Sequence, residues 1–218
     1  APAGAPLTYG PRNISLPPSY CQFREQGRGR ADIRALMRMF RRDRRAEEAA
    51  RQLYAEIVEQ ARRPQFYLAC NVPDTLDGRF EMIGLHLFLV LRRLRRARAE
   101  DAAAERLAQA LFDVMFANMD ESLREMGVGD LAVGGKIKRM AAAFYGRVAA
   151  YDQGLDAPGN VGLADALRRN LYGTVQPDDM AVAAMADYVR REDAGLSGQR
   201  MGALLAGRVR FGPPPVRE

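Results

Sequence analysis

The chain has 218 residues, 33 basic against 27 acidic, with 48% hydrophobic residues, one histidine, two cysteines and no tryptophan. That is enough for one well-filled domain, and Cys21 and Cys70, outside any CxxC pair, leave no disulfide framework or zinc module and point to a reducing compartment. The charge excess sits in front: residues 1–45 hold ten arginines against Glu25, Asp32 and Asp43, while 46–218 hold 23 basic and 24 acidic residues, which argues against a uniformly basic nucleic-acid-binding body.

Residues 1–43 read as a disordered, basic, Pro/Gly-rich extension without sustained period. They lack the basic–apolar–small plan of a secretory signal. Helical periodicity first appears at Met37, so Met37 or Met39 is the expected natural start, with an upstream extension before it. A first helix over 46–62 is striped by Leu53, Ile57, Tyr54 and Val58 and stopped by Pro64. Asp74 or Thr75 caps the approach to a second over 78–97. A third, over 101–126, turns Leu107, Leu111, Val114, Met115 and Met119 inward until Gly127 and Gly129 break it.

Asp130 is expected to cap a fourth helix, over 130–153, where Val133, Ile137, Met140, Phe144, Val148 and Tyr151 recur at spacings of three and four. After the connector LDAPGNVG come shorter helices over 161–173, 177–194 and 198–208. Pro177 falls in the first turn of the middle one, and Asp178 and Asp179 favour its positive dipole end. A flexible tail follows over 211–218. No run of alternating β-branched residues occurs, so the expected fold is all-α: a single compact domain, 44–210, of six to seven helices.

The stretch GRFEMIGLHLFLVLRRLRRAR, from Gly78, poses the choice between a membrane anchor and a buried helix. A spanning helix needs about 20 apolar residues. The run from Phe80 to Leu91 is shorter and contains Glu81 and His86, so it reads as a helix enclosed by others, its arginine-rich end suiting the negative dipole pole.

Little in the chain points to chemistry. From Gly129 the sequence reads G-x-x-x-x-G-G-K, one residue too long for a phosphate loop, with Ile137 where a magnesium-binding hydroxyl belongs. His86, alone in an apolar helix, reads first as a hydrogen-bonded core group. Asp120 and Arg124, four apart, read as an ordinary surface ion pair. Met82, Met115, Met119, Met126 and Met140 in the central helices are either core filling or an adaptable apolar lining. Opposite the apolar stripe of the fourth helix lie Gly135, Lys138, Arg139, Ala142, Gly146 and Ala149, a face that is either solvated or open to close approach by another helix.

Several motifs occur together: Pro64-Gln65-Phe66-Tyr67, Pro73-Asp74-Thr75, Gly78-Arg79-Phe80-Glu81, Leu85-His86, and the run from Asn118 through Asp120, Arg124 and Met126 to Asp130. In this combination, over roughly Ala46 to Leu171, the chain resembles the ubiquinol–cytochrome c chaperone family. The resemblance implies a non-enzymatic assembly factor for the cytochrome bc complex, respiratory complex III, with newly made cytochrome b as apolar client. It also implies association with the ribosome near its exit tunnel and with a small partner protein. The expected location is the bacterial cytoplasm, peripheral at the inner face of the membrane, ahead of the mitochondrion.

On this reading client contact falls to Phe80, Met82, His86, Phe116, Met119, Lys136, Met140 and Phe144, with Asp120, Arg124 and Arg139 orienting polar contacts. Arg92, Arg93, Arg95 and Arg96 are expected to meet ribosomal RNA or an anionic membrane surface, as are arginines within 38–45. No catalytic residue, metal ligand or cofactor is assigned. The alternative is a ribosome- or RNA-associated adaptor using the Arg-rich segments; a small helical enzyme ranks last.

Overall fold

The computed structural model describes residues 33–97, 101–173 and 175–216, with 33–43 and 130–131 described by backbone alone. Among them the chain is all helical, without a strand: α1 (Ile33–Ala61), α2 (Pro64–Leu68), α3 (Leu76–Ala97), α4 (Ala102–Glu125), α5 (Asp130–Asp156), α6 (Val161–Asn170), α7 (Asp179–Gly198) and α8 (Met201–Leu205). α3 is central. It packs on α1, α4, α5 and α7 and buries Met82, Leu85, Leu87, Phe88, Leu89, Val90 and Leu94 around its circumference. Each such side chain contributes about 1.5–3 kcal/mol on full burial, which is why a helix apolar on most sides ends up enclosed. No helix among the described residues is long and apolar enough to cross a membrane.

Local chemistry sets the helix ends. Gly78 N donates to Thr75 Oγ1 at 3.1 Å, while Asp74 turns outward to Arg79 at 2.6 Å. A Cβ at position 78 would lie 2.0 Å from the Pro73 carbonyl oxygen, so only glycine lets the Pro73 turn lie flat on α3. Ala103 N donates to the Asp101 side chain at 2.8 Å to start α4, and Ala181 N to that of Asp178 at 2.6 Å to start α7. α5 meets α4 where Phe144 and Tyr145 pack beside Phe112. Near its end it meets α6 at Gly154, where an added Cβ would lie 2.7 Å from Leu163 Cα.

Several expectations are corrected. α1 starts at Ile33 rather than near residue 46; the expectation of disorder for residues 1–32 lies outside the described residues. Pro64 both ends α1 and opens α2, whose first turn needs no N–H from it. Gly129 holds the cap position of α5, and Asp130 is its first residue. Asp178 is the cap of α7, so Pro177 precedes the helix.

The tail is held. Gln60 Nε2 donates to Gly212 O at 2.9 Å, Gly212 N donates to Glu192 Oε2 at 2.8 Å, and Arg191 donates to Pro213 O at 2.6 Å. Backbone groups of a Pro/Gly-rich stretch, unpaired within any helix, find side-chain partners from α1 and α7 instead. Residues 217–218 lie outside the described residues.

Candidate functional site

α3, α5 and the end of α6 enclose an open groove of about 500 Å³. Pro73, Phe80, Met140, Ala143 and Leu171 give it apolar walls; Asp77, Glu81, Lys136, Arg139, Arg147 and Arg169 give it charge. Lys136, Met140, Ala143 and Arg147 fall on one face of α5 because they are spaced at four, three and four residues. Phe80 and Met140 are half-buried, whereas Lys136, Arg139 and Arg169 are exposed. The Arg147 guanidinium donates to Glu81 Oε1 across the groove wall. Burial pushes the Glu81 carboxyl up to about 7, against the pull of Arg147.

Of the residues assigned to client contact, the groove brings together Phe80, Lys136 and Met140, with Arg139 beside them. Met82, Met119 and Phe144 belong to the core instead, at 0%, 7% and 2% exposure, so they offer no surface to a client. Phe116 packs on Phe112 with centroids 4.5 Å apart, in an aromatic cluster between α4 and α5. Asp120 accepts from Arg124 at 2.7 Å on the exposed face of α4, away from the groove lining. Of the five methionines in the central helices, Met140 and the exposed Met126 are reachable, while Met82, Met115 and Met119 fill the core.

His86 is wholly buried, its Nδ1 2.8 Å from Met82 O and its Nε2 2.8 Å from the Tyr188 hydroxyl. Burial pushes its pKa down to about 4, which keeps the imidazole neutral at physiological pH. The assignment of His86 to client contact is therefore corrected to a core role.

The arginine run at the end of α3 is engaged within the fold, with Arg92 buried and Arg96 exposed. Arg92, with a side chain 4% exposed, reaches Asp152 and Asp156 at 2.5 Å and Asp193 at 3.1 Å. Arg95 joins Asp152 at 2.5 Å, and Arg96 joins Asp193 at 3.2 Å. Arg93 donates to the carbonyl oxygens of Leu196 and Gln199. The run clamps α3 to α5 and α7. Its expected contact with RNA or headgroups is corrected for Arg92, whose guanidinium is enclosed by three carboxylates.

Arg147 and Arg169 are groove residues that the sequence does not single out, and Glu81 stands out there only as part of the Gly78–Glu81 motif and as a charge within the apolar run. For Arg147 a signal existed: it continues the row of Lys136 and Met140 at helical spacing. Arg169 sits at the end of a different helix, α6, and nothing periodic links it to α5.

Two relatives share a name, ubiquinol–cytochrome c reductase complex assembly factor 1. The mouse protein is 27% identical over 166 residues, covering 76% of this chain and 55% of its own length. The Xenopus laevis protein is 26% identical over 144 residues, covering 66% and 70%. The crystal structure of the Cbp3 homolog from Brucella abortus superposes with a TM-score of 0.70 at 38% identity, over 82% of this chain and 97% of that one. The family model described as ubiquinol–cytochrome C chaperone matches residues 68–211.

The chain belongs to the ubiquinol–cytochrome c chaperone family. The stretch matched to the family contains every groove residue and the Arg92 clamp, and it extends through α7 and α8 to Phe211, whose ring lies edge-on to His86 with centroids 5.2 Å apart. The chain spans little more than half the length of the mouse relative.

Proposed function

We propose that this chain is a non-enzymatic chaperone for assembly of the cytochrome bc complex, and that it holds newly made cytochrome b along the groove between α3, α5 and the end of α6. The observation that carries this reading is the groove's composition. Half-buried Phe80 and Met140 lie between exposed cations in an open concavity of about 500 Å³. Apolar contact with a flexible thioether tolerates varied client side chains, and an open groove lets the client leave when its own helices pack. Holding a client in this way needs no bond-making step. The work is placed at the cytoplasmic face of the membrane, where new cytochrome b is inserted. Any contact with the ribosome or with anionic headgroups falls to exposed cations such as Arg44 and Arg45 rather than to the buried Arg92.

The test is complementation of a strain lacking the gene, read as the amount of assembled cytochrome bc complex. The wild-type chain restores the complex. Ala143→Trp, which fills the groove from an exposed wall position, leaves the fold intact and fails to restore it. Full restoration by a folded Ala143→Trp chain contradicts the reading.

A further inference from the structure

We infer that the groove selects a carboxylate-bearing amphipathic helix of its client, with Lys136, Arg139 and Arg169 as the residues that determine this specificity. The inference rests on the groove being the client-holding surface and goes on to name the chemistry of the segment held.

The first support is charge. Arg79, Arg92, Arg95, Arg96, Arg124, Arg147 and Arg168 each lie within ion-pair distance of a carboxylate. Lys136, Arg139 and Arg169 form no ion pair among the described residues, although all three line one groove. Glu81 is tied to Arg147, which leaves Asp77 as the one groove carboxylate without an ion pair among the described residues. The rim therefore sets three cations without an internal ion pair against Asp77 alone, a local positive excess in a folded body that over 46–218 holds 23 basic and 24 acidic residues.

The second support is shape. Lys136 and Arg139 stand on α5, and Arg169 belongs to α6, with Phe80, Met140 and Leu171 among the apolar groups lining the same groove. A ligand that satisfies both parts has an apolar stripe for the walls and acidic groups beside it. Along the open flank of α5, a Cβ added at Gly146 meets nothing within 4 Å, and Ala142 and Ala143 are exposed. That bare flank admits another helix at short interaxial distance.

Two other occupants fit less well. The cytoplasmic loops of a bilayer protein are enriched in Lys and Arg, which the rim repels. An anionic lipid surface presents a sheet of negative charge that Asp77 opposes, whereas a helix of mixed charge can place a basic residue there.

The experiment uses the full chain and fluorescence anisotropy with three labelled synthetic peptides. They share one leucine-striped helical pattern and differ only in carrying Glu, Gln or Lys on the polar face. The Glu peptide is expected to bind at least about ten-fold more tightly than the Lys peptide at low ionic strength, with the gap narrowing as salt rises. The triple variant Lys136→Glu, Arg139→Glu, Arg169→Glu keeps its melting temperature, because these side chains have no internal ion pair to lose, and reverses the order. Equal affinities, or an unchanged order in the triple variant, overturn the inference. So does binding to phosphatidylserine vesicles through these cations while the Glu peptide is ignored. If cytochrome b co-purifies undiminished with the triple variant but not with Ala143→Trp, selection by charge is wrong while the groove stands. If neither variant loses cytochrome b, the groove reading itself fails.

Discussion

Tyr188 donates its hydroxyl hydrogen to His86 Nε2 at 2.8 Å, and the partner of the other ring nitrogen decides that direction. His86 Nδ1 lies 2.8 Å from Met82 O, a carbonyl that can only accept, so the neutral ring carries its hydrogen on Nδ1. Gln60 Nε2 then donates to the Tyr188 oxygen at 2.9 Å and to Gly212 O at 2.9 Å. One connected set of hydrogen bonds thus joins α1, α3, α7 and the C-terminal segment, inside a T-shaped packing of Phe66, His86 and Phe211.

Tyr188→Phe keeps the ring but leaves His86 Nε2 without its donor. Urea unfolding is expected to show a loss of about 1–3 kcal/mol. Tyr54→Phe removes a bond to Asn118 of 3.2 Å at an exposed site, and its cost should stay below about 0.5 kcal/mol.

Acid acts on His86 and Glu81 with opposite signs. His86 titrates at about 4 in the fold against 6.5 in the open chain, so between these values the unfolded chain binds more protons and stability falls as pH falls. Glu81 titrates at about 7 against 4.5, so there the folded chain binds more protons and stability falls as pH rises. The two partly cancel between pH 4.5 and 6.5. Glu81→Gln removes one of them, and its denaturation midpoint is expected to drop with acid more steeply than that of the wild type across this window.

Arg92 and Arg96 belong to one run and should behave differently. Arg92→Ala leaves Asp152 and Asp193, with side chains 21% and 16% exposed, facing each other without their shared cation. The expected cost is about 2–4 kcal/mol. Arg96 is 44% exposed, and Arg96→Ala should cost under about 1 kcal/mol, with thermal melts of the two variants reading the difference. Charge reversal at Arg92 is therefore expected to unfold the clamp, whatever it does to binding.

Two glycines of α5 make a further contrast. Gly154→Ala drives a methyl group into the backbone of Leu163 at 2.7 Å, at an expected cost of about 1–3 kcal/mol. Gly146→Ala meets open space in mid-helix and should stabilise by about 0.5–1 kcal/mol. Differential scanning calorimetry of the two variants reads both signs.

What the sequence could and could not show follows from the range of each signal. The period of three and four residues located α3, α4 and α5 to within a few residues, and it distinguished the enclosed α3 from an anchor. Five-residue α2 is too short to carry a period, and Pro64 was read only as a stop. The docking of Gly212 rests on Gln60, 152 residues away in sequence, and no local pattern announces such a bond. A lone histidine in an apolar helix was legible as a hydrogen-bonded group, though its partner Tyr188 was not. In the groove, Phe80, Lys136, Arg139 and Met140 were legible from motif and helical position. At Arg92 the charge pattern misleads because it does not name its partners, and Asp152, Asp156 and Asp193 arrive from two other helices.

The central claim is that cytochrome b lies along the groove while the chaperone holds it. The most direct measurement places photoreactive benzoylphenylalanine in place of Ala143, in the groove, or of the exposed Ala55 on α1, which is not among the groove's lining residues. Cells are irradiated while the cytochrome bc complex is being made, and the crosslinked product is identified by mass spectrometry. The account predicts a covalent adduct with cytochrome b from position 143 and none from position 55. An adduct from position 55 alone, or equal yields from both, contradicts it.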